Sequence, residues 1–585
     1  MRKIINKAET LVREMCSGIA AANASLTFDT KYKIISKKEI DKDKITLISG
    51  GGSGHEPAHA GFVGMGMLDA AVCGDVFASP SQVQVYQAIK KCAGSKGTLL
   101  IIKNYSGDIM NFTNGMYMAK DEGIDVDYVK VDDDIAVVDS LYTVGRRGVA
   151  GTVFVHKVAG AAANAGKSLA EVKALAEKAI KNVRSLGFAL SSCVTPAKGT
   201  PTFDLREGDM EFGVGIHGEP GIKREKAQTA KELAERLVRK LIPEVKAYPG
   251  DEVAVLVNGF GGSPLQELYV LFNNIKQELD KLGIKTPYTL VGNYMTSIDM
   301  EGASLSLMKL DEELKECLLS DCNTTALTQS ALKENNNSLE AIDVVESASY
   351  SYEVESDAED RIIEKDKISL ENVVYMVDAM SECIIKNEVP FCELDSHAGD
   401  GDFGMSIAKG FRRLKEEWKN VTEKGKDSIG NFLIECSFVI MEHCGGASGP
   451  IWGSAFRAAG LYAGDKKELS LAEFAEMMQK CVEGIQLTGA RSFGRGAIVG
   501  DKTLIDALVP CADEFKLCAK SSRTIKDSFI ISAKKAVDGA KSTENIVARM
   551  GRAGTVGERS IGYPDAGAFG IGVIFTDIAS RMEYK

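Results

Sequence analysis

No apolar run reaches the roughly 18 residues that a membrane-spanning helix requires, so no membrane partner is expected for the 585-residue chain. An apolar secretory core is missing too: the opening MRKIINKAETLVREMCSG carries charges throughout, and a cytoplasmic protein is expected. Positive charge is in deficit, with a formal net charge of −12 and a pI of about 5.3. That excludes broad attraction to nucleic acid or anionic lipid, so any anion must be held locally. Although 13 cysteines are present, their number is odd and no C-x-x-C pair occurs. Neither a disulfide framework nor a zinc ribbon is indicated, and buried thiols are expected.

What is present, 44% apolar residues, suffices for several cores and predicts a multidomain protein. From residue 333 to 367 the texture turns polar, acidic and glycine-free, reading KENNNSLEAIDVVESASYSYEVESDAEDRIIEKDK. This predicts a flexible linker. Ahead of it, over residues 1–332, KITLISG, GTLLIIK, GTVFVHKV, EFGVGI and DEVAVLVNGF read as strands, while SLAEVKALAEKAIKNVRSL and REKAQTAKELAERLVRKLI read as helices. The alternation predicts α/β architecture. Over residues 368–585, SLENVVYMVDAMSECIIKN, SIGNFLIECSFVIMEHC, SLAEFAEMMQKCVEGI and DSFIISAKKAVDGAKSTENIVARM carry helical spacing with little strand signal. A mostly α domain is expected there.

Two motif matches are discarded. HEPAH, His55 to His59, fits a zinc-protease pattern that works only with both histidines on one helix face, yet Pro57 drives Glu56 out of the helical region. GAAANAGKS, Gly160 to Ser168, nearly spells a phosphate loop, but its first glycine lies one residue too far from Gly166. A turn or a helix start is expected instead. ITLISGGGSGHEP lacks dinucleotide-loop spacing and keeps a strand followed by a glycine loop whose amides can cup a polar ligand.

The densest charge lies in LDSHAGDGDFGMSIAKGF, Leu394 to Phe411. Asp395, Asp400 and Asp402 repel one another unless a cation sits among them, and Gly399, Gly401 and Gly404 let the backbone aim them together. Few carboxylates completed by phosphate oxygens suit Mg²⁺ better than a closed Ca²⁺ cage. One aspartate there would read as the cap of a helix beginning near Met405; three so close favour the metal. CGGASGPIWGSAFRAAG offers a glycine turn ahead of an apolar helix, and GRAGTVGERSIGYPDAGAFG adds Arg552, Arg559 and Asp565. Together with RGAIVGDKTLIDALVP they describe a Mg-nucleotide pocket.

In DMEFGVGIHGEPG, a strand puts Phe212, Val214 and Ile216 on one face and Glu211, Gly213, Gly215 and His217 on the other, so His217 faces room left by glycines. A lone histidine is nevertheless more often structural. Asp108 in NYSGDIMNF follows a strand, where α/β proteins gather ligands, and could equally cap the next helix. His55 lies at another strand end, so three polar groups can converge on one pocket.

GGGSGHEPAHAGFVGMGMLDAAVCGDVFASPS, NYSGD, GRRGVAGTVFVHKVAGAAA and GIHGEPG resemble the substrate-binding half of dihydroxyacetone kinases. LDSHAGDGDFG, GGASG, GDKTLIDAL and GRAGTVGERSIG resemble their nucleotide-binding half. The resemblance implies an N-terminal α/β half of two subdomains and a C-terminal all-α helical barrel. It implies that His217 binds a ketone covalently as a hemiaminal, that Asp108 is the general base for the terminal hydroxyl, and that His55 orients or polarises the substrate. Gly52, Ser53, Gly54 and Lys103 are implied as further substrate contacts, and Asp395, Asp400 and Asp402 as magnesium ligands bridging the phosphates of ATP. Gly445, Gly446, Ala447, Ser448, Gly449, Gly496, Arg552, Asp565 and Gly567 are implied as nucleotide contacts. Fusion on one chain resembles the ATP-dependent type, which implies a homodimer as well.

The sequence departs from the family pattern at Phe403, at Ala447 in the GG-x-SG turn, and in GYPDAGA, which unsettles the contact implied for Asp565. Erythrulose or glyceraldehyde as acceptor, and the FAD-cyclising lyase activity of some relatives, are the alternative enzyme readings. A noncatalytic ketone sensor would need no metal–phosphate site, so His217 alongside three aspartates argues against it.

Overall fold

Strands Thr46–Ser53 and Thr98–Lys103 are buried along their whole length, the pattern of parallel strands covered on both faces. They lie at the centre of the first of two units, Met1–Ile342 and Asp343–Lys585, in a computed structural model that describes residues 3–137, 145–219, 221–335, 337–339, 352–551, 554 and 557–585. The first sheet runs in the order Leu26–Asp29, Ile34–Lys37, Ala70–Val76, Thr46–Ser53, Thr98–Lys103, Val126–Val131. Its last four strands are parallel. Helices Gln82–Cys92 and Ser106–Asp121 cross between them, so the loops after Ser53, Val76 and Lys103 gather at one edge.

A second six-stranded sheet runs Lys223–Lys226, Asp209–Phe212, Val183–Ala189, Gly302–Lys309, Glu252–Gly259, Lys285–Gly292, with only the last pair parallel. Helices Ala230–Val245 and Leu265–Lys281 cover one face of it. The other face shares a core with the first sheet.

Between the sheets lies the helix Thr152–Asn164, buried at every position but the last. This corrects the strand expected for GTVFVHKV: an enclosed helix produces the same unbroken apolar run as a buried strand. The strand expected for EFGVGI also ends early, at Phe212, because Gly213 takes a φ of +77° that breaks the extended alternation. His217 therefore sits in a turn.

In the second unit, helices Leu370–Lys386, Phe403–Glu416, Ile429–His443, Ser448–Ala463, Leu471–Phe493, Ile505–Lys520, Ile525–Ser542 and Ala566–Arg581 each pack against the next, and the last against the first. Their apolar faces enclose one core. Two short strand pairs, Ile362–Ile363 with Glu583–Tyr584 and Ile368–Ser369 with Glu468–Leu469, are its only sheet among the described residues.

Residues 336 and 340–351 of the expected linker lie outside the described residues. Its ends belong to the folded units: Glu334 pairs with Lys315, and the amides of Glu355 and Ser356 donate to Asp378, itself bonded to the buried Lys415. Among the described residues no helix is long and apolar enough to cross a membrane. All thirteen cysteines are free.

Candidate active site

In the first unit a cavity of about 600 Å³ is lined by Gly52, Phe77, Ser79, Tyr105, Asp108 and His217, among others. Asp108 lies in the first turn of Ser106–Asp121, where the helix dipole favours a carboxylate. Tyr105 is that helix's N-cap, so capping is not Asp108's role. The Ser79 hydroxyl donates to Asp108 Oδ1 at 2.5 Å, and Lys103 Nζ lies 3.6 Å from Oδ2. Both charged partners are buried. Burial pushes the Lys103 ammonium down in pKa, and Asp108 pulls it partly back. A Cβ on Gly51 would stand 2.6 Å from Lys103 Nζ, so glycine is what allows this approach.

His217 Nε2 is 3.1 Å from His55 Nε2, and His55 Nδ1 donates to the Thr296 carbonyl at 2.9 Å. The rings of Tyr105 and Phe77 meet the His217 ring edge-on, with centroids 4.5 and 5.4 Å away. Burial first, then the charges of Lys103 and Arg147, holds His217 down to about 3. Burial, His217 and Lys103 hold His55 well below the usual imidazole range. Both rings are therefore neutral at neutral pH, which leaves lone pairs for chemistry.

The implied substrate contacts divide into three groups. Gly52, Asp108 and His217 line the cavity, His55 backs His217, and Lys103 backs Asp108. Ser53 and Gly54 have their protons engaged elsewhere, the Ser53 hydroxyl on the Gly74 carbonyl and the Gly54 amide on the Glu56 carboxylate. Sequence reasoning missed Ser79, Tyr105, Arg147 and Glu219. The last stands two residues past His217 in GIHGEPG and was the most accessible signal.

The discarded motifs stay discarded. Residues 55–59 form a turn ahead of the single-turn helix Ala60–Phe62. His59 faces His156, 2.9 Å away, and not His55. In GAAANAGKS, Ser168 caps helix Leu169–Asn182 together with Glu171.

In the second unit one oxygen each from Asp395, Asp400 and Asp402 lies within 4.8 Å of the others. Helix Glu388–Asp395 ends on the first of them and Phe403–Glu416 begins after the last. Although Asp402 occupies the N-cap position, its side chain makes no capping bond. Asp395 accepts the amides of Gly401 and Phe403, yet burial raises its pKa and the neighbouring Asp400 and Asp402 raise it further. Hard oxygen donors crowded against their own repulsion fit a divalent cation such as Mg²⁺.

Around this cluster the cavity is lined by Gly445, Gly446, Ala447, Ser448, Asp565 and Gly567. The first four form the turn into helix Ser448–Ala463; the Gly445 amide donates to the Ser406 carbonyl and the Ser448 amide to the Gly445 carbonyl, which leaves the amides of Gly446 and Ala447 to favour an anion. Burial, then Asp506 and Asp395, raises Asp565 to about 7. Gly449 is buried behind the turn and Gly496 packs on Gln486, so neither lines this cavity. Arg552 lies outside the described residues.

Lys502, buried and missed in the sequence, donates to the backbone carbonyls of Thr543, Ile546, Ser560 and Tyr563. Two residues beyond Tyr563, Asp565 starts helix Ala566–Arg581 and accepts the Ala568 amide. Lys502 thus anchors the segment that delivers Asp565.

The Dak1 domain matches residues 17–326 and the DAK2 domain residues 397–580. The dihydroxyacetone-binding subunit of the PTS-dependent dihydroxyacetone kinase 1 of Listeria innocua is 50% identical over 314 residues, 54% of this chain and 95% of that protein. The L-erythrulose kinase of Pectobacterium atrosepticum is 32% identical over 586 residues, 100% of this chain and 97% of that one. The crystal structure of the dihydroxyacetone kinase from C. freundii in complex with AMP-PNP and Mg²⁺ matches with a TM-score of 0.59 and 29% identity over 99% of both chains.

Proposed function

This chain belongs to the dihydroxyacetone kinase family, carrying both of its domains in one polypeptide, and we propose that it transfers the γ-phosphate of ATP to a terminal hydroxyl of dihydroxyacetone. The observation that carries this reading is the neutral, half-buried His217 on the wall of a cavity that also presents Asp108. The lone pair of a neutral imidazole nitrogen can add to the carbonyl carbon as the C=O π bond opens onto its oxygen; that oxygen takes up a proton while the other ring nitrogen gives up its own toward His55, so the hemiaminal is neutral. Glycerol has no carbonyl, so tethering selects the ketone and fixes its hydroxyl in place. Asp108, oriented by Ser79 and Lys103, accepts the hydroxyl proton as the new O–P bond forms.

Asp395, Asp400 and Asp402 would hold Mg²⁺, which when bound neutralises phosphate charge as phosphoryl transfer demands. The amides of Gly446 and Ala447 would take phosphate oxygens, a role that does not need the hydroxyl absent at Ala447. We place the protein in the cytoplasm as a homodimer.

A four-carbon acceptor is the second reading, favoured by the full-length likeness to an L-erythrulose kinase. A cavity of about 600 Å³ admits either ketose. ADP release is to be measured with dihydroxyacetone, erythrulose and glyceraldehyde, with Mg²⁺ and either ATP or a phosphotransfer-protein donor. ATP with dihydroxyacetone is expected to give the highest kcat/KM. A preference for erythrulose selects the second reading, and no ADP with any acceptor removes the kinase assignment.

A further inference from the structure

Arg147 is almost wholly enclosed, as are its carboxylate partners Asp134 and, to a lesser degree, Glu219, with side-chain exposures of 2%, 2% and 12%. Its guanidinium makes three directed contacts. Nε donates to Asp134 Oδ2 at 2.7 Å, Nη2 to the Gly213 carbonyl at 3.0 Å and Nη1 to Glu219 Oε1 at 3.1 Å. Gly213 and Glu219 are the two ends of the turn that carries His217. The other oxygen of Glu219 accepts the backbone amide of His217 itself, at 2.8 Å.

We propose that Arg147 is the positioning residue for His217, closing the Gly213–Glu219 turn through both of its ends and, by way of Glu219, fixing the backbone from which the imidazole projects. A fork of five donors is suited to bridging three acceptors at once, and lysine, with one ammonium, can meet only part of that. The turn is built around the contact: a Cβ on Gly215 would stand 1.7 Å from Glu219 Oε1 and 2.7 Å from Arg147 Nη1.

The clamp is itself braced. The Asp134 amide donates back to the Arg147 carbonyl, and the adjacent Asp133, fully buried, accepts the amides of Val149 and Gly151 at 2.8 Å. On the opposite side the rings of Tyr105, Phe77 and His55 enclose the imidazole. Backbone held on one side and ring held on the other leaves His217 one orientation, a requirement for a nucleophile that must meet a carbonyl within a few tenths of an ångström.

This inference rests on the tethering reading above, and its test separates the two. The full-length protein is mixed with dihydroxyacetone ¹³C-labelled at C2, and the tetrahedral carbon of the tethered form is followed by NMR beside steady-state kinetics. Arg147→Met and the milder Glu219→Gln are expected to lose the tetrahedral signal and raise the acceptor KM more than about tenfold. The KM for ATP and the binding of Mg²⁺–AMP-PNP should stay within about twofold, and Arg147→Lys should recover part of the loss.

A tetrahedral signal and acceptor KM unchanged in folded Glu219→Gln and Arg147→Met overturn the proposal. Equal loss of acceptor and nucleotide binding in both also overturns it, since that is the mark of general destabilisation. If Arg147→Met does not fold, Glu219→Gln decides alone. Absence of a tetrahedral carbon in the unaltered protein sinks the tethering reading instead.

Discussion

His217 Nε2 and His55 Nε2 face each other at 3.1 Å while the far nitrogen of His55 donates to the Thr296 carbonyl. A carbonyl only accepts, so neutral His55 carries its proton on Nδ1 and offers a lone pair at Nε2. His217 must then supply the N–H between the rings and keep its own lone pair on Nδ1. Nitrogen-15 NMR of labelled histidines at neutral pH should show these opposite tautomers. An imidazolium signal from either ring would contradict a site held neutral by burial.

His217→Ala should raise the acceptor KM roughly 100-fold and weaken discrimination against glycerol, since both follow from covalent capture. Competition kinetics with glycerol measures this. Glycerol rejection left intact in the variant refutes selection by tethering.

Acid should loosen the first unit before the carboxylates of its surface titrate. His55, His59, His156 and His217 all lie below the unfolded value of 6.5, mainly through burial, with His156 and His217 at about 3. The unfolded chain therefore binds protons that the folded one refuses. Stability is full above pH 6.5 and falls as pH drops toward 3, by about 1.4 kcal/mol per pH unit for each histidine well inside its window. Glu56, Asp133 and Asp134, raised by burial, act in the opposite sense, but Asp134 at about 6 begins to help only below that pH. Hydrogen exchange of residues 46–53 and 98–103 at pH 7, 6 and 5 should show protection declining. Unchanged protection would mean that these rings protonate in place.

Asp400→Asn should separate stability from function. Asp400 is exposed, so without Mg²⁺ the substitution should leave the thermal midpoint nearly unchanged. The rise in midpoint that Mg²⁺–AMP-PNP gives the unaltered protein should vanish, along with turnover. A variant that keeps that rise would remove Asp400 from the metal site.

Lys502→Met leaves four carbonyls without their cation and should cost the second unit about 3 kcal/mol, lowering its Tm by roughly 10 °C. The KM for ATP should rise as Asp565 loses its placement, with the acceptor KM unchanged. Calorimetry with kinetics on each substrate tests both parts.

Much of this was legible in the sequence where one stretch carries the whole signal. KITLISG and GTLLIIK read correctly because a strand buried on both faces is an unbroken apolar run. The aspartate cluster was legible because its repulsion and its glycines lie within ten residues, Asp395 to Gly404. GTVFVHKV misled because helix Thr152–Asn164 is enclosed by the first sheet, by helices Leu169–Asn182 and Glu312–Leu319 and by Tyr288 of the second sheet, a fact of tertiary packing that leaves no periodicity. Arg147 and Glu219 meet across 72 positions of chain, and neither position alone suggests the other. Ser53 was expected in a glycine loop, but it ends the buried strand Thr46–Ser53, and nothing in its own stretch shows the engagement of its hydroxyl with Gly74.

Lys502 grips the chain by its main-chain oxygens alone. Such an anchor is blind to side-chain identity and constrains only the spacing of the four residues; Thr543 and Ser560 are held to their identity separately, by buried hydroxyls that accept the amides of Asp565 and Ala548. Insertions and deletions there, more than point changes, are what this half of the enzyme should fail to tolerate.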